Sequence, residues 1–175
     1  MLNRLFKPRP AQTAGRALYA STVTQARSPG LYAGLGVPDT AEGRFEIYSL
    51  HVYLLLERLK EQGEQAGEVA QALFDAYIAA LDDALRELGV GDLTVGKRMR
   101  KLGEAFYGRI QSYEKALAAL PDAGLLEALL ARTVYAGVET DQAAALAAYV
   151  VAQRGALAAR PLEQVCAGDV AWRPA

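Results

Sequence analysis

Gly91-Asp92-Leu93-Thr94-Val95-Gly96-Lys97 has the spacing of a phosphate loop, G-x-x-x-x-G-K, whose glycine amides cradle phosphates while the lysine reaches the outer one. That chemistry stops at Arg98, where a Ser or Thr hydroxyl is needed for magnesium, and the stretch follows a helical pattern instead of a buried strand. His51 is the only imidazole. It sits in Leu50-His51-Val52 on an apolar helix, where a hydrogen-bonded packing residue is expected before a general base. No Ser or Cys in a nucleophile context accompanies it, and Cys166 lies near the far end of the chain. Asp82 and Asp83 are adjacent, so on a helix they point about 100° apart and cannot serve as an acid and base pair on one face. Glu-x-x-His pairs are missing, and one thiol with one histidine falls short of a structural zinc site. These residues present no catalytic centre, no metal site and no cofactor site.

Charge is distributed more informatively. The 175 residues carry 19 basic and 20 acidic side chains, which argues against DNA or an acidic substrate as the partner of the whole molecule and makes any electrostatic function local. Residues 64–88 hold six acids and one base, whereas residues 91–115 hold six bases and three acids. Lys97, Arg98, Arg100 and Lys101 crowd the first turns of their helix, the unfavourable end of its dipole, so a carboxylate of the preceding helix or an acidic partner is expected to offset them. Arg98 and Arg109 share a face, with Phe106 and Tyr107 beside it. One reading is a set of inter-helix ion pairs on a solvated surface; the other is a basic and aromatic patch of the residue types enriched at binding hot spots.

The elements that must position these residues are all helical, because the long segments follow the 3.6-residue period and none alternates like a strand. Helices are expected over 11–27, 40–62, 64–88, from about 92 to 119, over 121–136 and over 140–159: an all-α single-domain bundle of about six helices. Ser28-Pro29-Gly30 stops the first, and 31–39 is an ordered loop or hinge. Phe45, Tyr48, Val52, Leu55 and Leu59 draw the core stripe of the second helix; Ala70, Phe74, Ile78, Leu81, Leu85 and Leu88 that of the third; Val95, Met99, Leu102, Phe106, Ile110, Tyr113 and Leu117 that of the fourth. Gly89 is placed for a left-handed C-cap, Asp92 or Thr94 for the next N-cap and Thr140 for the N-cap of the sixth helix. Leu125, Leu126, Leu129 and Leu130 face the core from the fifth. The tail beyond Pro161 is expected to form a short helix and to dock Trp172 on the body.

The chain divides into a flexible basic N-terminus (1–12), a helical domain (13–160) and a C-terminal tail (161–175). Leu2, Leu5 and Phe6 among three cations are compatible with brushing a membrane, though fraying is the expected state of such a terminus. Neither an export signal nor an apolar run near the roughly 20 residues of a membrane span is present, and a lone cysteine suits a reducing compartment. A cytoplasmic protein, at most in peripheral contact with the inner face of the membrane, is expected.

Gln25-Ala26-Arg27-Ser28-Pro29, Tyr32, Gly36-Val37-Pro38-Asp39-Thr40, Gly43-Arg44-Phe45-Glu46, Leu50-His51 and the blocks 85–98 and 105–109 are together similar to the ubiquinol-cytochrome c chaperone family, in its compact bacterial form. The resemblance covers about 18–120; the segment after Leu120 is less distinctive. It implies a chaperone that binds newly made cytochrome b and assists assembly of the cytochrome bc1 complex, acting without nucleotide; mitochondrial members of the family work with a small co-chaperone, and that co-chaperone and the ribosome are the further candidate partners. On this resemblance Phe106 and Tyr107 supply contact area, Lys97, Arg98, Lys101 and Arg109 supply orientation, and Arg44, Phe45 and His51 extend the surface. A ribosome- or RNA-contacting module, or a helical scaffold within a respiratory complex, would use the same cations.

Overall fold

The computed structural model describes residues 10–137 and 141–175. The expectations for Leu2, Leu5, Phe6 and the Thr140 cap lie outside the described residues. Every element described is helical: α1 (Pro10–Ala26), a π-helical turn (Gly30–Gly34), α2 (Ala41–Leu59), α3 (Glu64–Glu87), α4 (Asp92–Ala118), α5 (Gly124–Thr133), α6 (Gln142–Ala159) and the short α7 (Leu162–Cys166). The six long helices correspond to the expected ones, although α5 is shorter at both ends. It stops early because Ala136 and Gly137 take left-handed backbone conformations, φ 54 and 75°.

α2 is the hub. Thr40 caps it, its hydroxyl accepting from Gly43 N at 3.0 Å, and only glycine fits at 43 because a Cβ there would strike the Pro38 carbonyl. A single apolar stripe is too narrow a description of this helix. Ile47, Leu50, Val52, Tyr53, Leu54 and Leu55 are all buried, since α1, α3, α4 and α6 pack around it, and a helix apolar on every side is what a central position needs.

α3 buries a different face from the one expected. Ala66, Val69, Leu73 and Tyr77 are inside, while Ala70, Phe74, Ile78, Leu81 and Leu85 are only half-buried and Leu88 is 72% exposed. The crossing with α1 decides this. A Cβ on Gly15 would lie 2.6 Å from the Ala72 backbone, so the two helices meet backbone to backbone there and turn Leu73 inward.

The segment expected as a loop or hinge is a bracket. Its π-turn is closed by Leu35 N donating to Gly30 O at 2.8 Å, Leu31 and Val37 are buried, and the Tyr135 hydroxyl donates to Leu35 O at 2.6 Å. α3 ends in a Schellman motif at Gly89, φ 78°: Gly89 N donates to Arg86 O at 2.9 Å and Val90 N to Leu85 O at 3.0 Å. Neither Asp92 nor Thr94 caps α4. Gly91 is the N-cap without a side-chain bond, Asp92 is taken by Arg86, and the Thr94 hydroxyl donates back to Gly91 O at 3.0 Å. The stretch with phosphate-loop spacing is thus the joint between two helices.

The tail docks as expected. Trp172 Nε1 donates to Ser21 Oγ at 3.0 Å, and the buried Gln153 amide bonds both Arg173 N (2.9 Å) and Arg173 O (2.8 Å). A large core joins α1, α2, α3, α5, α6, α7 and the C-terminal end of α4; a smaller one of Val52, Tyr77 and Phe106 supports the rest of α4.

Candidate functional site

Between α1, α2, α3 and the first half of α4 runs a groove of about 750 Å³. Its floor is apolar: Tyr19 and Val23 from α1, Phe45 and Tyr48 from α2, Leu81 and Leu85 from α3, Leu102 from α4. Leu81, Leu85 and Leu88 of the outer α3 stripe line this groove, which is why they are not fully buried, whereas Phe74 and Ile78 pack against the small core. Arg98 and Lys101 from α4, Arg44 from α2 and Arg27 from α1 also line it, with Asp83 and Glu87 of α3.

The cations differ in what already holds them. Arg27 Nε donates to the Tyr48 hydroxyl at 2.8 Å. Arg44 Nε donates to Asp39 at 2.5 Å, with the Tyr32 ring centroid 6.0 Å from its guanidinium, and the same hydrogen bond pulls the exposed Asp39 carboxyl below the usual carboxylate range. Lys97, Arg98, Arg100 and Lys101 are exposed and form no ion pair among the described residues. The expected neutralisation by α3 does not occur. Arg86, the base of α3, instead gathers Asp82 (2.6 Å) and Asp92, and the remaining acids of α3 make no ion pair with α4.

Three residues that the resemblance assigns to the partner surface are structural, two of them, Phe106 and His51, in keeping with the packing roles that the helical pattern predicts. Phe106 is fully buried, its ring 5.1 Å from Tyr77 and 5.9 Å from Phe74, because position 106 falls on the inner face of α4; its neighbour Tyr107 is 58% exposed. Arg109 is bound in bidentate fashion to Glu46, Nε to Oε2 at 2.8 Å and Nη2 to Oε1 at 2.7 Å, and this hydrogen-bonded partner raises the guanidinium pKa above its ordinary value. Glu46 is 8% exposed, so the pair is a strut between α2 and α4 and not a free cation. Glu46 belongs to the Gly43-Arg44-Phe45-Glu46 block, but only the packing of α4 on α2 shows what it holds.

His51 is fully buried. Its Nδ1 lies 2.8 Å from Ile47 O, a carbonyl that can only accept, so Nδ1 carries the proton and Nε2 accepts from the Tyr149 hydroxyl at 2.8 Å. Tyr149 in turn accepts from Gln25 Nε2 at 2.8 Å, and the Trp172 ring closes the site edge-on at 5.1 Å. A satisfied ring under aromatic cover is a packing residue, not a base. Burial pushes its pKa from 6.5 down to about 4. The unfolded chain therefore takes up a proton that the folded chain refuses, and stability falls as pH drops through the interval from 6.5 to about 4. Between pH 7 and pH 5 we expect this group to remove about 2 kcal/mol of stability. Urea unfolding at both values, with His51→Gln as the flattened reference, measures it; equal pH slopes for the two proteins would refute the assignment.

The sequence comparisons agree with one another. A family model described as ubiquinol-cytochrome C chaperone matches residues 33–172. Ubiquinol-cytochrome-c reductase complex assembly factor 1 of Xenopus laevis is 24% identical over 121 residues, 69% of this chain and 60% of that protein. Its Mus musculus counterpart is 27% identical over 164 residues, 92% of this chain and 55% of that protein. The chain thus spans little more than half the length of these curated relatives. Among solved structures, the crystal structure of the Cbp3 homolog from Brucella abortus is 38% identical, with a TM-score of 0.86 over 99% of this chain and 97% of that chain. The matched region runs well past residue 120, so α5, α6, α7 and Trp172 lie within the family's extent.

Proposed function

This chain belongs to the ubiquinol-cytochrome c chaperone family, and on that premise we propose that it binds newly made cytochrome b and promotes assembly of the cytochrome bc1 complex. It acts by binding alone, without nucleotide and without catalysis, and its place is the cytoplasm with at most peripheral contact at the membrane. The observation that carries this reading is the groove. A client made of apolar helices with charged ends needs apolar contact and charge selection side by side, and here Phe45, Leu81, Leu85 and Leu102 lie within reach of the unpaired Arg98 and Lys101. Arg44 lines the same groove, whereas Lys97 and Tyr107 point outward from α4 and belong to the proposed surface only for a client that reaches around that helix. A ribosome and a small co-chaperone remain proposed partners of the same cations. A purely nucleic-acid reading is less well supported, because an apolar floor gains nothing from phosphates.

Photocrosslinking from position 85 during translation of cytochrome b, with an unrelated membrane protein as control client, tests the reading; equal capture of both would refute it. We expect the double substitution Arg98→Glu with Lys101→Glu to lower capture of cytochrome b about tenfold, through slower encounter, while leaving the urea midpoint unchanged. Both side chains are exposed and unpaired, so the fold does not depend on them. Unchanged capture by a folded double variant would remove the cations from the site.

A further inference from the structure

The largest exposed apolar side chains among the described residues are not scattered. Leu88 (72%), Leu93 (101%) and Tyr107 (58%) all belong to the α3–α4 hairpin, two of them flanking its tip. At about 100° per residue, Leu93, Lys97 and Arg100 share the face of α4 that points away from the buried Val95 and Phe106, with Tyr107 at one edge of it and Lys101 at the other. This outward face, led by Leu93, is separate from the groove floor, although Leu88 and Lys101 also stand on the groove's rim. It is not a solvated face of ordinary composition: a leucine extended fully into water leads it, and the cations behind that leucine have no ion-pair partner among the described residues. Asp92, beside Leu93, shares the single charge of Arg86 with Asp82, and Glu87 beside Leu88 and Glu104 on the outward face are the exposed acids that the four cations Lys97, Arg98, Arg100 and Lys101 outnumber.

We propose that the α3–α4 hairpin docks on an anionic lipid surface, Leu88 and Leu93 entering the acyl boundary while Lys97, Arg100 and Lys101 meet the headgroups. The charge complementarity chooses a negative partner, and the two leucines choose lipid over nucleic acid, since phosphates and sugars offer an aliphatic tip nothing to bury. No described helix is long and apolar enough to cross a membrane, so the contact is made from one side. The inference stands on these side chains and does not depend on the identity of any client.

Flotation of the purified protein with phosphatidylcholine vesicles, with and without phosphatidylglycerol, tests it. The expected result is partition to the anionic vesicles only, weakened by salt and lowered at least about tenfold by Leu93→Asp, which withdraws one buried leucine. Aspartate in the first turn of a helix is favoured by the dipole, so this variant folds, as its circular dichroism will show. Lys97→Glu with Arg100→Glu should abolish flotation as well. Absence of the protein from the anionic vesicles, or equal flotation of Leu93→Asp and the parent, would overturn the proposal. So would binding of a single-stranded RNA with no flotation.

Discussion

Replacing Arg109 with alanine is expected to cost about 3 kcal/mol of folding stability, far more than any other exposed cation of α4. The reason is what it leaves behind. Glu46 is 8% exposed and spends both carboxylate oxygens on Arg109, so truncating the arginine strands a charge in the protein interior. The cost lies at the low end for a broken buried pair because Arg109 itself is 26% exposed and admits some water. Glu46→Leu in the Arg109→Met background should recover most of the loss, since a buried pair replaced on both sides by apolar groups is close to neutral. Urea unfolding of the two single variants and the double variant measures this, and strict additivity would show that the bridge carries no coupling. It follows that Arg109→Glu is unsuitable as a binding test: it would set two carboxylates face to face and report on folding.

Phe106→Ala should destabilise by about 3–5 kcal/mol, whereas Tyr107→Ala should stay within about 0.5 kcal/mol. Phe106 is the member of the small core that ties α4 to α2 and α3, stacked on Phe74 and tilted against Tyr77. Its loss would leave a cavity under the groove. Adjacent residues of the same chemistry are thus expected to separate cleanly, the first in an unfolding curve and the second, if it meets the client, in a capture assay. Similar unfolding midpoints for both variants would mean that α4 is not held in the way described.

Much of the architecture was legible in the residues, because six long helices with short connections leave a strong period, and Gly89, Pro161 and Trp172 each do what their chemistry demands at that position. The face of α3 was not. Val69, Leu73 and Tyr77 form one apolar line and Ala70, Phe74, Ile78 and Leu81 another beside it, and periodicity ranks neither above the other. The choice is made far away in sequence, by the contact of Gly15 with Ala72. The groove was illegible for the same reason: Leu81, Leu85 and Leu102 look like core until the packing of α1, α2, α3 and α4 is seen to leave them lining a groove that no described residue fills. The helical period places Phe106 inside, where it is, and only the hot-spot composition of its block suggests a surface role; the fate of Arg109 is illegible because Glu46, on which it depends, lies on another helix.

The joint between α3 and α4 has a kinetic consequence. Gly89 closes it with two backbone bonds and Arg86 clasps it by holding Asp82 and Asp92 at once, so Leu88 and Leu93 stand on a preset blade and not on a wandering loop. A loop would lose conformational freedom each time it met a partner, and its association would be slowed by that search. Here the ordering is completed when the protein folds, so that contact and release at the hairpin can both be fast, a property suited to a surface that must let go as readily as it holds.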